Sequence, residues 1–151
     1  MKKKGINIIS TSLILLMFAQ LAQCQKVADY DVELRYSTIR KVIESGISKK
    51  LEKKYGDSVL LHFESGFDNN RVSIEVNNNK FSNDYLTSDE NLDFAKFYNV
   101  GSTKNVDSIE LIIDDSNIVY IEPDNLRKYI AINLYENKIV VEFMDNIPYY
   151  D

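Results

Sequence analysis

The sequence predicts a mainly β fold: an antiparallel β-sandwich of about eight short strands, Greek-key-like, preceded by one amphipathic α-helix. Three observations carry this reading. From Ser58 onward apolar residues recur with a period of two, the apolar segments are rich in Val, Ile, Phe and Tyr, and clusters of Asn, Asp, Gly and Ser interrupt them about every ten residues. Hairpin-like spacing without helical intervals argues against a parallel sheet.

Ahead of the strands, Ile39, Val42, Ile43, Ile47, Leu51 and Tyr55 recur at gaps of three and four and share one helical face, which places the helix over residues 37–56. Ser37 or Thr38 caps its start by accepting an orphan backbone N–H, and Gly56 ends it. Lys49, Lys50, Lys53 and Lys54 crowd the last turns, where the helix dipole favours cations. Gly46 opposes the helix, costing ~1 kcal/mol relative to Ala in an interior position. Residues 25–36 form the lead-in, in which Val32, Leu34 and Tyr36 alternate as a short strand or an extended segment would.

The sandwich domain spans 58–151. Val59, Leu61 and Phe63 share one face of its first strand, and Arg71 to Val76 places Val72, Ile74 and Val76 inward. Lys80 to Leu86 and Leu92 to Tyr98 are weaker strands around the polar stretch Thr87 to Asn91. Asp107 to Ile113 and Ile118 to Ile121 flank the turn Asp114-Asp115-Ser116-Asn117, and Tyr129 to Tyr135 and Lys138 to Met144 flank Glu136-Asn137. Buried positions are expected at Val72, Ile74, Val76, Ile109, Leu111 and Ile113. At the C-terminus, Pro148 ends strand character, and Tyr149 and Tyr150 are expected to cover an open sheet edge.

Residues 1–24 have the grammar of a bacterial export signal: Lys2-Lys3-Lys4, an apolar centre from Ile8 to Leu21, then small residues at a cut site. The apolar run is too short for a spanning helix, which needs ~20 predominantly apolar residues. Leu21-Ala22-Gln23-Cys24 resembles a lipobox, in which the Cys24 thiol is acylated, although Gln23 stands where a small residue is usual. Cleavage after Cys24 by an ordinary signal peptidase is the alternative. Export to the periplasm, the cell envelope or the exterior follows from either cut, and membrane contact is expected only through a lipid on Cys24.

Without the signal the chain keeps 15 basic residues against 23 acidic, a net charge of −8. Nucleic acid is thereby excluded as the expected partner, because binding it starts from a basic surface. The imbalance is uneven: residues 28–56 carry +2 and residues 57–151 carry −11. The basic helix is therefore expected to lie on its own acidic domain. Cys24 is the only cysteine, so no disulfide within the chain is expected and stability must come from the core.

Catalytic signatures are lacking in the sequence. His62 is the sole histidine and is expected to be an outward-facing strand residue; no serine stands in a Gly-x-Ser-x-Gly elbow and no glycine-rich phosphate loop is present. Zinc is disfavoured because its usual Cys and His ligands are missing. If successive strands alternate in direction, alternate connections fall at one end of the sandwich. That places Asp68, Asn70, Asp114, Asp115 and Asn117 together as a candidate calcium site, since calcium takes six to eight hard oxygen ligands from converging loops. The expectation is a non-enzymatic binding or structural accessory module at the cell envelope, with a protein or surface as partner. The alternatives are a calcium-dependent adhesion or surface-binding module and a carboxylate-based hydrolase.

Overall fold

The structure is a computed structural model and describes residues 30–37, 46–144 and 147. The export segment with Cys24, residues 38–45 of the predicted helix and Pro148–Asp151 lie outside the described residues.

Nine strands and one helix follow in order: β1 (Asp31–Ser37), α1 (Gly46–Tyr55), β2 (Ser58–Phe63), β3 (Asn70–Val76), β4 (Asn79–Leu86), β5 (Lys96–Ser102), β6 (Ile109–Ile113), β7 (Asn117–Ile121), β8 (Tyr129–Tyr135) and β9 (Lys138–Met144). They build a five-stranded sheet in the order β1-β9-β8-β2-β5 and a four-stranded sheet in the order β4-β3-β6-β7. Period-two alternation turns one face of each sheet inward. Val59, Leu61 and Phe63 of β2, Ile130 and Ile132 of β8, and Ile139 and Val141 of β9 meet Val72 and Ile74 of β3, and Ile109, Leu111 and Ile113 of β6, in one buried cluster. Each such side chain contributes ~1.5–3 kcal/mol by leaving water. Five of the six residues expected to be buried are so, and the sixth, Val76, is half-buried against the same cluster.

Three expectations are corrected. The four-stranded sheet is antiparallel throughout, but β2 runs parallel to β8 and β1 parallel to β9, so the larger sheet is mixed. Strand direction does alternate along the chain from β2 to β9; β3, β4, β6 and β7 leave for the other sheet, and like-directed strands become neighbours. Alternation fixes direction, not partners.

The helix over 37–56 is not supported. Ser37 pairs with Met144 as the last residue of β1, and the described helix is the ten-residue segment starting at Gly46. Alternation in Val32, Leu34 and Tyr36 overrides the cap signal at Ser37, because the β9 ladder gives that backbone its hydrogen bonds. Likewise the strand expected at Leu92 begins at Lys96. The carboxylate of Asp89 accepts from the N–H groups of Asn91 and Leu92, and Asp93 takes a φ of 48°, so the chain turns there before extending.

The two ends of the sandwich differ. At one end Asp114 N bonds Arg71 O at 2.9 Å, Ser88 N bonds Phe67 O at 2.8 Å and Leu134 N bonds Ser65 O at 3.0 Å, so the connections after β2, β4, β6 and β8 meet, as alternating directions require. At the other end Asn77 and Asn78 take φ of 51° and 62° in the tight β3–β4 reversal, where Asn tolerates the left-handed region. No helix among the described residues is long and apolar enough to cross a membrane.

Candidate functional site

The loop end brings four of the five candidate calcium residues together. Asn70 accepts from the Asp68 N–H at 2.7 Å and donates its amide to Asp114 Oδ2 at 2.7 Å, while Asp114 Oδ1 accepts from the Arg71 N–H at 3.0 Å. The Arg71 guanidinium reaches Asp115 at 2.8 Å. Asn117 is set apart: its side chain is buried, accepting from the Tyr30 N–H at 3.0 Å and donating to Ile113 O at 3.1 Å. Both oxygens of Asp114 thus hold β3 to the β6–β7 turn, whose Asp114 and Asp115 take φ of 51° and 63°. Among the described residues no group of three or more His, Cys, Asp or Glu side chains is placed to hold a metal ion.

A second polar group lies on the outer face of the five-stranded sheet. Successive side chains point to opposite faces, so His62 and Glu64 share that face with Tyr129, Ala131 and Asn133 of β8. His62 is on the outward side as expected, yet it is only 4% exposed and stacks on Phe97 with ring centres 5.9 Å apart. The equally buried Glu64 accepts from the Asn133 amide at 3.1 Å. Asn133 Oδ1 in turn accepts from Ser65 N at 3.2 Å and Ser65 Oγ at 2.8 Å. The Ser88 hydroxyl donates to Glu64 O at 2.5 Å and accepts from Phe67 N at 3.0 Å. The Ser65 hydroxyl proton is spent on an amide, so this group fastens three chain segments rather than assembling a nucleophile with its base.

One signal for this buried face stands in the sequence. Tyr129-Ile130-Ala131-Ile132-Asn133-Leu134-Tyr135 reads apolar at nearly every position, which marks a strand covered on both sides. A small second cluster of Leu60, Tyr129, Ala131, Met144 and Ile147, with Tyr55 of α1 against it, covers part of that outer face.

The third polar group sits where the two sheets come edge to edge. Asp84 on β4 points inward and accepts from Tyr98 Oη on β5 at 2.5 Å, from Ser82 Oγ at 2.8 Å and from Lys96 Nζ at 3.0 Å. The Tyr98 hydroxyl, with Ser82 and Lys96, lowers its carboxyl to a pKa of about 2. Burial beside that carboxylate raises the Tyr98 phenol. An inward-pointing carboxylate at the rim both ties the sheets and blunts two open strand edges. It was not singled out in the sequence, because one acid in a weak strand has no distinguishing spacing.

No family model, curated protein or solved structure matches this chain.

Proposed function

We propose that this protein is a non-enzymatic binding or structural accessory module delivered to the cell envelope by its N-terminal signal. One observation supports the reading above others: the polar groups best placed for chemistry, at Asp114, Glu64 and Asp84, take hydrogen bonds that join strands and loops, so they serve the scaffold. A scaffold braced in this way leaves its surface and strand edges to meet a partner. Delivery rests on Lys2-Lys3-Lys4, the apolar run and Cys24. In a bacterial host expressing the full chain, the protein is expected in the membrane or exported fraction. Cys24→Ala then abolishes fatty-acid labelling and membrane retention if the thiol is acylated; unlabelled release of wild type assigns the ordinary cut. Retention of the uncleaved wild type in the cytoplasm overturns the reading.

A further inference from the structure

We propose that β1 pairs with β1 of a second copy, antiparallel about a two-fold axis through Leu34, so that two five-stranded sheets become one. β1 is an edge strand, and among the described residues none pairs with its far side. Asp31 N bonds Asn137 O at 2.8 Å, so in this parallel ladder the odd-numbered residues of β1 turn their N–H and C=O groups to β9. Val32, Leu34 and Tyr36 therefore turn theirs outward. Such a row of backbone groups, unpaired among the described residues, is a template for another strand. The side chains of these residues face the core side, where β1 is the outermost strand of the wider sheet, and remain 46%, 50% and 62% exposed.

What commits the occupant to a second copy is the self-complementarity of Asp31-Val32-Glu33-Leu34-Arg35-Tyr36. With Leu34 opposite its twin, Val32 faces Tyr36 of the other copy and Glu33 faces Arg35. Two-fold symmetry repeats both pairs. The outward-facing residues then make the hydrogen-bonded pairs, and Glu33 and Arg35 fall at the non-hydrogen-bonded positions, where side chains approach most closely. Neighbouring registers that also match the free backbone groups centre on Glu33 or on Arg35 and set two like charges face to face. Charge therefore selects the Leu34 register. Both charged side chains lie on the outer face, already within 2.7 Å of each other, and Lys138 holds Glu33 from β9 at 2.7 Å.

Sedimentation velocity on the full chain over a dilution series tests this. Wild type is expected to dimerise in a concentration-dependent way, as befits an interface at the small end of the stable range. Glu33→Lys sets a lysine against Arg35 twice and is expected to weaken the dimer roughly tenfold, whereas Glu33→Arg with Arg35→Glu restores it. Leu34→Pro deletes an outward N–H and no bond to β9, so it is expected to abolish the dimer while keeping the circular dichroism of the sheet. A wild type that stays monomeric overturns the proposal, and so does a dimer that survives Leu34→Pro. Failure of the double charge exchange to restore a dimer lost in Glu33→Lys overturns the register.

Discussion

Replacing Asp84 by Asn tests whether the clasp between β4 and β5 works through charge. The folded carboxyl is held at about 2 against an ordinary 3.8. At about 1.4 kcal/mol per pH unit that difference corresponds to at most ~2.5 kcal/mol of preference for the ionised form in the folded state. The side chain keeps 37% of its exposure, so solvent screening cuts the usable part to ~1 kcal/mol. Because the folded value is depressed, the stabilisation is complete above about pH 4 and fades as pH falls toward 2. Asp84→Asn is therefore expected to unfold ~1 kcal/mol more easily at pH 7, a drop of about 3–5 °C in Tm, and to converge with wild type near pH 2. Urea unfolding of both proteins from pH 7 to pH 2 measures the gap. Glu33 and Asp124 also have lowered carboxyls, but they titrate in both proteins and cancel in the difference. A gap that is absent at pH 7, or that persists undiminished at pH 2, refutes the charge account and leaves only shape.

Leu111→Ala removes a fully buried side chain between the sheets and is expected to cost ~2–5 kcal/mol in urea unfolding with little change in the denaturant slope; a loss below ~1 kcal/mol would show the core to be looser than drawn. Gly66→Ala is expected to be worse than most surface changes by several-fold, because Gly66 takes a φ of 87° and a Cβ there would lie 1.8 Å from the backbone oxygen of Leu134; an unchanged melting curve would exclude that close approach. Calcium and sodium at matched ionic strength are expected to raise Tm equally, since the oxygens of Asp114 already hold Asn70 and Arg71; a calcium-specific gain of ~2.7 kcal/mol at a hundredfold excess over the dissociation constant, reversed by chelator, would assign the loop end to the metal.

Most of the strand plan was legible in the sequence because period two and turn residues are local signals. Arg71 to Val76 and Asp107 to Ile113 show it plainly: their inward residues meet across one ladder, Ile74 opposite Leu111 and Val72 opposite Ile113. What local signals do not carry is which like-directed strands become neighbours, hence the parallel contact of β2 with β8. The helix expected from Ser37 fails at that residue for a related reason. A stripe at three- and four-residue gaps and an alternating stretch meet around Ser37, and the pairing of Tyr36 with Phe143 and of Ser37 with Met144, more than a hundred positions away, decides between them. At the candidate site, the meeting of loops followed from alternating direction alone. The fate of each carboxylate did not, because it depends on which amide or backbone N–H comes within reach, and for Asp114 those partners come from β3.

Charge asymmetry suggested that the basic helix is drawn onto the acidic domain, and the contacts of α1 qualify that picture. Its carboxylate Glu52 accepts from Tyr129 Oη at 2.9 Å, Tyr55 meets Phe97 edge-on with ring centres 6.2 Å apart, and Lys128 from the β7–β8 connection bonds Gly56 O at the helix end. Burial and the nearby Glu52 raise the Tyr129 phenol, keeping it a hydrogen-bond donor throughout the physiological range. Meanwhile Lys50, Lys53 and Lys54 are exposed, and among the described residues no ion pair joins them to an acid of the sandwich. Lys54 lies 4.8 Å from the centre of its neighbour's ring, Tyr55. Long-range attraction between a +2 segment and a −11 domain is screened over about 8 Å in physiological salt, too short a reach to fix one orientation of a helix. Orientation comes instead from the apolar and hydrogen-bonded contacts at Tyr55 and Glu52, and Lys50, Lys53 and Lys54 are left facing solvent.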